Sequence, residues 1–169
     1  MDARRSRAAT ILFLTAIGAY GLDRVTKVWA EGALPGSPID VLPGAVTLRF
    51  TENSGGAFSI GQSAPWFFVG VTVIVSAAIV VTAFRHTERV VAFALGLVLG
   101  GALGNLTDRV LRAPGFRGHV VDFIDLHVWP VFNLADSAIV IGALLLAWTG
   151  VRDREPSNGA VPAAPPSPR

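Results

Sequence analysis

The chain has 169 residues, 51% of them apolar and 15% charged, and its mean hydropathy of +0.54 is too high for a soluble domain of this size. It holds no cysteine, which excludes a disulfide framework, a thiolate metal site and a cysteine nucleophile. A pI near 9.9 would admit nucleic acid, but the arginines stand at the ends of apolar runs rather than along one polar stripe, so no nucleic-acid partner is expected and they read as topology signals and anionic-lipid contacts.

Four apolar stretches are expected to cross a membrane, at about residues 8–29, 66–84, 90–108 and 131–149. Each is close to the ~20 residues that span ~30 Å of hydrocarbon. The first follows Arg4, Arg5 and Arg7 and has the form of a cleavable signal peptide, but no small-x-small site follows it and three later spans need an orienting helix. Its apolar run stops at Leu22 after only ~22 Å of helix, so the helix is expected to continue through Asp23 toward Trp29. That puts Asp23 near the outer boundary of the bilayer, where a carboxylate is costly unless paired. Lys27, four residues on, shares its face, with Arg24 the other candidate partner; the plain alternative is a structural ion pair at a helix end.

Residues 31–65 are too polar to span. Val46, Leu48 and Phe50 alternate there with Thr47, Arg49 and Thr51, and Gly32, Pro35, Gly36, Pro38, Pro43 and Gly44 punctuate the approach, so a small sheet on the outer membrane surface is expected. In the third span Gly96, Gly100 and Gly104 recur every four residues as a ridge for close helix approach. Asn105, Asp108 and Arg109 follow on one face; a salt bridge at the helix end would explain the last two, but an amide as deep as Asn105 needs hydrogen-bond partners. The run Val120-Val121-Asp122-Phe123-Ile124-Asp125 offers two carboxylates in an apolar setting. The fourth span opens Val131-Phe132-Asn133-Leu134-Ala135-Asp136-Ser137, and if its helix begins near Val131, Asp136 sits too far in to act as a cap. Residues 1–150 then form one membrane domain, and 151–169, rich in Pro, Ala and Ser, a disordered cytoplasmic tail.

An even number of spans puts both termini on one side, and the N-terminal arginines make that side the cytoplasm. Trp29, Trp66 and Trp129 would lie at the outer interface and Trp148 at the inner one. Topology therefore gathers Asp23, Asn105, Asp122, Asp125, Asn133 and Asp136 at the outer leaflet. Two carboxylates in a low-dielectric site cannot both ionise comfortably; one keeps a proton and the other can deprotonate water, which is what an aspartyl peptidase requires. Asp136 is one member, and spacing leaves Asp122 or Asp125 as the second. The nearby asparagines and arginine could bind peptide or a developing oxyanion. Ser54, Ser59 and Ser137 lack a histidine among the helices, since His86 is cytoplasmic and His119 and His127 lie in a loop; neither a serine–histidine couple nor a metal site is indicated.

These residues resemble the bacterial lipoprotein signal peptidases, or signal peptidase II. The resemblance rests on Leu22-Asp23-Arg24-Val25-Thr26-Lys27, Glu52-Asn53-Ser54-Gly55-Gly56-Ala57-Phe58-Ser59, Gly100 through Arg109, Val120-Val121-Asp122-Phe123 and Phe132-Asn133-Leu134-Ala135-Asp136, five blocks in order against four spans. It implies an intramembrane aspartyl endopeptidase of the inner membrane that cleaves diacylglyceryl-modified prolipoproteins just before the lipidated cysteine, with Asp122 and Asp136 catalytic. Asp23, Asn53, Gly55, Asn105, Arg109, Asn133 and Ala135 match the family's supporting and substrate-contacting positions, and Lys27 joins them through Asp23. Arg24, where glutamine is common, and Gly56, where alanine is common, depart from the pattern. The implied fold is an all-α membrane protein of four transmembrane helices with a small extracytoplasmic β-cradle and an interfacial helix between spans three and four. Membrane lipids and prolipoproteins are its expected partners, with no metal or organic cofactor, as a monomer with its site near the outer leaflet. The rival readings are a small transporter or ion-path protein and a silent assembly factor using the glycine ridge.

Overall fold

Four helices form because four runs of the chain can satisfy their backbone internally while turning apolar side chains outward, the arrangement that hydrocarbon demands. The structure, a computed structural model, describes residues 3–54, 65–84, 88–116 and 118–152. The helices are α1 (Ala3–Ala33), α2 (Pro65–Ala83), α3 (Arg89–Leu111) and α4 (Leu134–Arg152), and all four are long and apolar enough to cross a membrane. Many of their large apolar side chains are exposed, Ile17, Ile74, Val81 and Leu144 among them, as expected of faces meant for lipid. Gly55, Gly56, Ser59, Arg85, His86, Arg117 and the tail from residue 153 lie outside the described residues.

α3 is the central helix. An added Cβ at Gly96 would lie 2.6 Å from the Leu12 carbonyl oxygen, and one at Gly100 would lie 2.5 Å from that of Ala16. The expected ridge therefore seats α1, and at Gly104 it seats the Asp23 side chain itself. On the other side of α3, Gly101 packs against the Ala135 carbonyl of α4, while Gly142 of α4 packs against that of Ala94. A membrane-level core of Leu12, Ala16, Ile79, Ala83, Ala92 and Leu99 joins α1, α2 and α3.

At 31 residues, α1 is ~46 Å long and so carries its C-terminal turns beyond the hydrocarbon. Against that upper end lies a three-stranded antiparallel sheet in the order β1 (Ile39–Leu42), β2 (Val46–Asn53), β3 (Val120–Asp125). The β1–β2 turn closes with the Ala45 amide donating to the Leu42 carbonyl, and Gly44 takes the positive φ of 77° that its place after Pro43 requires. Ala30, Leu34, Val121 and Phe123 make a second small core between α1 and the sheet. Where an interfacial helix was expected between α3 and α4, the described chain has a single 3-10 turn, Pro114–Phe116, and then β3.

The start of α4 differs from expectation. Val131 and Phe132 are not helical: Phe132 bridges to Ile124 beside the sheet, and the helix begins at Leu134. Asp136 is thus in the first turn and not, as expected of a helix beginning near Val131, too deep to cap it. The Asp136 amide donates to Asn133 Oδ1 at 2.9 Å and the Asn133 amide donates back to Asp136 Oδ2 at 3.3 Å, a reciprocal capping box.

Candidate active site

Every polar side chain expected at the outer leaflet and described here comes from one of four places: the upper part of α1, the end of α3, the sheet, or the start of α4. β3 has its Asp122 and Asp125 three residues apart, which turns them to opposite faces. Asp125 takes the outer side, bound by Arg49 Nε at 2.5 Å and by the His127 amide at 2.8 Å. The Arg49 bond holds its carboxyl below the usual range. Asp122 turns inward and is almost fully buried. Of the two partners that spacing left open for Asp136, Asp122 is the one that shares its cleft.

Asn133 joins the pair. Its Nδ2 donates to Asp122 Oδ1 at 2.6 Å, while its backbone and Oδ1 form the capping box with Asp136. Asn53 Nδ2, at the end of β2, donates to the second oxygen of Asp122 at 3.0 Å. Asn105 Nδ2 donates to Asp136 Oδ1 at 2.8 Å, and Asn105 Oδ1 accepts from Lys27 Nζ at 2.8 Å and Asn133 Nδ2 at 3.2 Å. The deep amide of Asn105 thus has hydrogen-bond partners at both its nitrogen and its oxygen, the condition its burial set.

Burial, and after it the charge of Asp136, pushes the Asp122 carboxyl up to about 7, against the opposing pull of the Asn53 and Asn133 amides. Near neutrality the Asp122 carboxyl is therefore poised between its protonated and ionised forms. Their cleft has a volume of 240 Å³. Asn53, Asn105 and Arg109 line it on the polar side, and Trp129, Pro130, Val131, Phe132, Ile139 and Val140 on the apolar side. Arg109 lies with its guanidinium 5.3 Å from the centre of the Phe68 ring of α2, a cation–π contact the sequence did not announce. A larger groove of 520 Å³ between α1, α2 and α3, lined by Phe13, Tyr20, Ser76 and Leu103 among others, contains no carboxylate.

Behind the cleft, Lys27 Nζ lies 2.9 Å from Asp23 Oδ2 and 2.9 Å from Asp108 Oδ2, all three side chains fully buried. Asp23 Oδ1 accepts the Ala135 amide at 3.0 Å. Asp108 also takes Arg112 Nε at 2.8 Å and Arg24, and Arg112 reaches Glu31. The arginine that departs from the family pattern thus closes an ion network across α1 and α3. Among the remaining candidates, Ser137 Oγ donates to the Asn133 carbonyl, His119 lies 3.7 Å from Glu52, and His127 Nε2 lies 3.0 Å from the Thr47 hydroxyl. Among the described residues, no group of three His, Cys, Asp or Glu side chains is placed to hold a metal ion. Gly55 belongs to the segment outside the described residues.

A family model described as "Signal peptidase (SPase) II" matches residues 15–152. The chain is 44% identical over 149 residues to a lipoprotein signal peptidase of Mycobacterium avium, covering 85% of this chain and 80% of that protein. It is 43% identical over 150 residues to one of Rhodococcus jostii, covering 88% and 76%. A solved structure described as "Bacterial membrane enzyme structure by the in meso method at 2.3 A resolution" superposes with a TM-score of 0.77 at 30% identity, over 91% of this chain and 94% of that one.

Proposed function

The chain belongs to the signal peptidase II family, and on that premise we propose that Asp122 and Asp136 are its catalytic pair. Membership makes it an aspartic-type endopeptidase, a multi-pass protein of the inner membrane that removes the signal peptides of lipoproteins. The observation that carries the assignment of the pair is Asn133, whose amide and backbone hold both carboxyls at one cleft. The ionised member takes a proton from water as the oxygen attacks the scissile carbonyl, and the protonated member donates to the carbonyl oxygen as it gains charge. On collapse of the tetrahedral intermediate the member that took the water proton gives it to the leaving amine, and the other member recovers its proton from the hydroxyl as the carbonyl re-forms, so protons balance over a turnover.

In this reading Asn53, Asn105 and Asn133 orient the carboxyls, Arg109 stabilises charge beside them, and Asp23, Lys27 and Ala135 support the helix starts; Gly55 is assigned to substrate contact. The apolar wall of Ile139 and Val140, with Val140 exposed, supports entry of the substrate sideways from the bilayer with its acyl chains left in lipid. We place residues 1–150 as one membrane domain acting as a monomer, with both termini cytoplasmic and the cleft near the outer leaflet; a reporter fused after Arg152 that matures only outside the cytoplasm contradicts that orientation.

The experiment is cleavage by the purified protein of a prolipoprotein with and without its diacylglyceryl group, with the new N-terminus read by mass spectrometry. The expected product begins at the lipidated cysteine and forms only from the modified precursor. Equal cleavage of both precursors, or a cut elsewhere, contradicts the proposed specificity.

A further inference from the structure

Each proposed catalytic aspartate is preceded by a residue whose backbone N–H is held by another buried aspartate. Ala135, before Asp136, donates to Asp23 Oδ1 at 3.0 Å; Val121, before Asp122, donates to Asp108 Oδ2 at 3.3 Å. The two holding carboxylates come from different helices, α1 and α3, and Lys27 Nζ bridges them at 2.9 Å on each side. The same ammonium donates to Asn105, which donates to Asp136. Burying such a cluster costs desolvation that a helix-end ion pair on the surface would avoid, and a pair whose only work was to join α1 to α3 could sit at the rim. The glycine contacts at Gly96 and Gly100 already join those helices.

We propose that Asp108 is a positioning residue for the peptidase reaction: the chain Val121 N–H, Asp108, Lys27, Asp23, Ala135 N–H fixes the distance between the Asp122 and Asp136 carboxyls. This rests on the assignment of that pair. The backbone, not the side chain, is what is held, so the link sets where each Cα stands, while Asn133 sets how the carboxyls turn. Sliding β3 against α4 by a fraction of an ångström would leave the fold intact and the dyad mis-spaced, and mis-spacing on the ångström scale costs about 10²-fold in rate. The charged groups facing the dyad are Lys27 and Asp23 from α1 and Arg109 and Asp108 from α3, with the half-exposed Glu52 and His119 at the edge where β2 meets β3.

The test is the pH–rate profile of full-length Asp108→Asn in detergent, with kcat expressed per folded molecule as judged by tryptophan fluorescence and thermal melting. Two carboxyls that interact strongly titrate in two separated steps, and the separation shrinks as they move apart. The expected result is a kcat lower by about 10- to 10²-fold at unchanged KM, with the acid and alkaline limbs closer by roughly one pH unit. Loss of a distant negative charge alone would move both limbs together and leave their spacing as in the parent. Asp108→Glu keeps the charge toward Lys27, Arg24 and Arg112 but displaces the oxygen from the Val121 N–H. It should show the same narrowing, and it decides the matter if the Asn variant does not fold. Parental kcat, or parental limb spacing at any kcat, overturns the proposal while leaving the dyad standing; a parent without two limbs overturns the dyad and this proposal with it.

Discussion

Asp122 shows how a single side chain is set against its own charge. Two amides donate to its oxygens and favour ionisation, yet burial and the neighbouring Asp136 prevail and raise its titration from the ordinary 3.8 to about 7. The folded chain therefore keeps a proton that the unfolded chain releases, so this residue's contribution to stability declines as pH rises from 3.8 to about 7 and is flat above. Asp122→Asn is neutral throughout and close in shape to the protonated acid. The variant and parent should melt at similar temperatures near pH 4, and the variant should melt higher at pH 8; a gap of the same size at both values would show that burial of charge is not what perturbs Asp122. Residue-scale reading of the sequence reached Asp23 with Lys27, and Asn105 as an amide needing partners, because spacing on one helix is enough to see those needs. It could not reach Asp108 on Val121 N–H, Arg24 on Asp108, or Phe68 over Arg109, because each joins segments whose approach only the packing decides.

Among the elements, the helices were legible and β3 was not. Spanning runs announce themselves by length and hydropathy, and the glycine ridge announced a close neighbour. β3 is buried along nearly its whole length, so Val120–Asp125 lacks the alternation that marked β2. The start of α4 differs from the apolar run for a related reason: Val131 and Phe132 are apolar because they line the cleft, with Phe132 bridged to Ile124 beside the sheet, not because they are helical. The ridge itself makes a sharp element-scale prediction. Gly100→Ala puts a Cβ 2.5 Å from the Ala16 carbonyl oxygen and should cost about 1–3 kcal/mol, lowering the melting temperature and the activity together. Gly70→Ala, on an open face of α2 with nothing within 4 Å, should be neutral or slightly stabilising. Equal melting of the two variants would mean that α1 and α3 do not depend on that close approach.

For the whole molecule, the architecture solves one problem: a polar, ionisable site must exist beside lipid without unravelling the helices that carry it. α1 is longer than the hydrocarbon is thick, and its charged residues are paired, Asp23 with Lys27 and Glu31 with Arg112. The sheet then closes the site from above, with β2 supplying Asn53 and β3 supplying Asp122. Overall class, span number and the gathering of the polar residues at one end of the helices could be read from the sequence because the bilayer imposes them on composition. The choice of Asp122 over Asp125 was open to spacing, was implied by the family resemblance, and in the fold depends on which face of β3 turns to the cleft. The most direct measurement is cleavage of a diacylglyceryl-modified prolipoprotein by purified Asp122→Asn, Asp136→Asn and the double variant, with folding and substrate binding verified for each. Each single variant should bind substrate normally and lose turnover by at least about 10²–10⁴-fold, and the double variant should be scarcely worse. Substantial turnover by either single variant would contradict the catalytic pair.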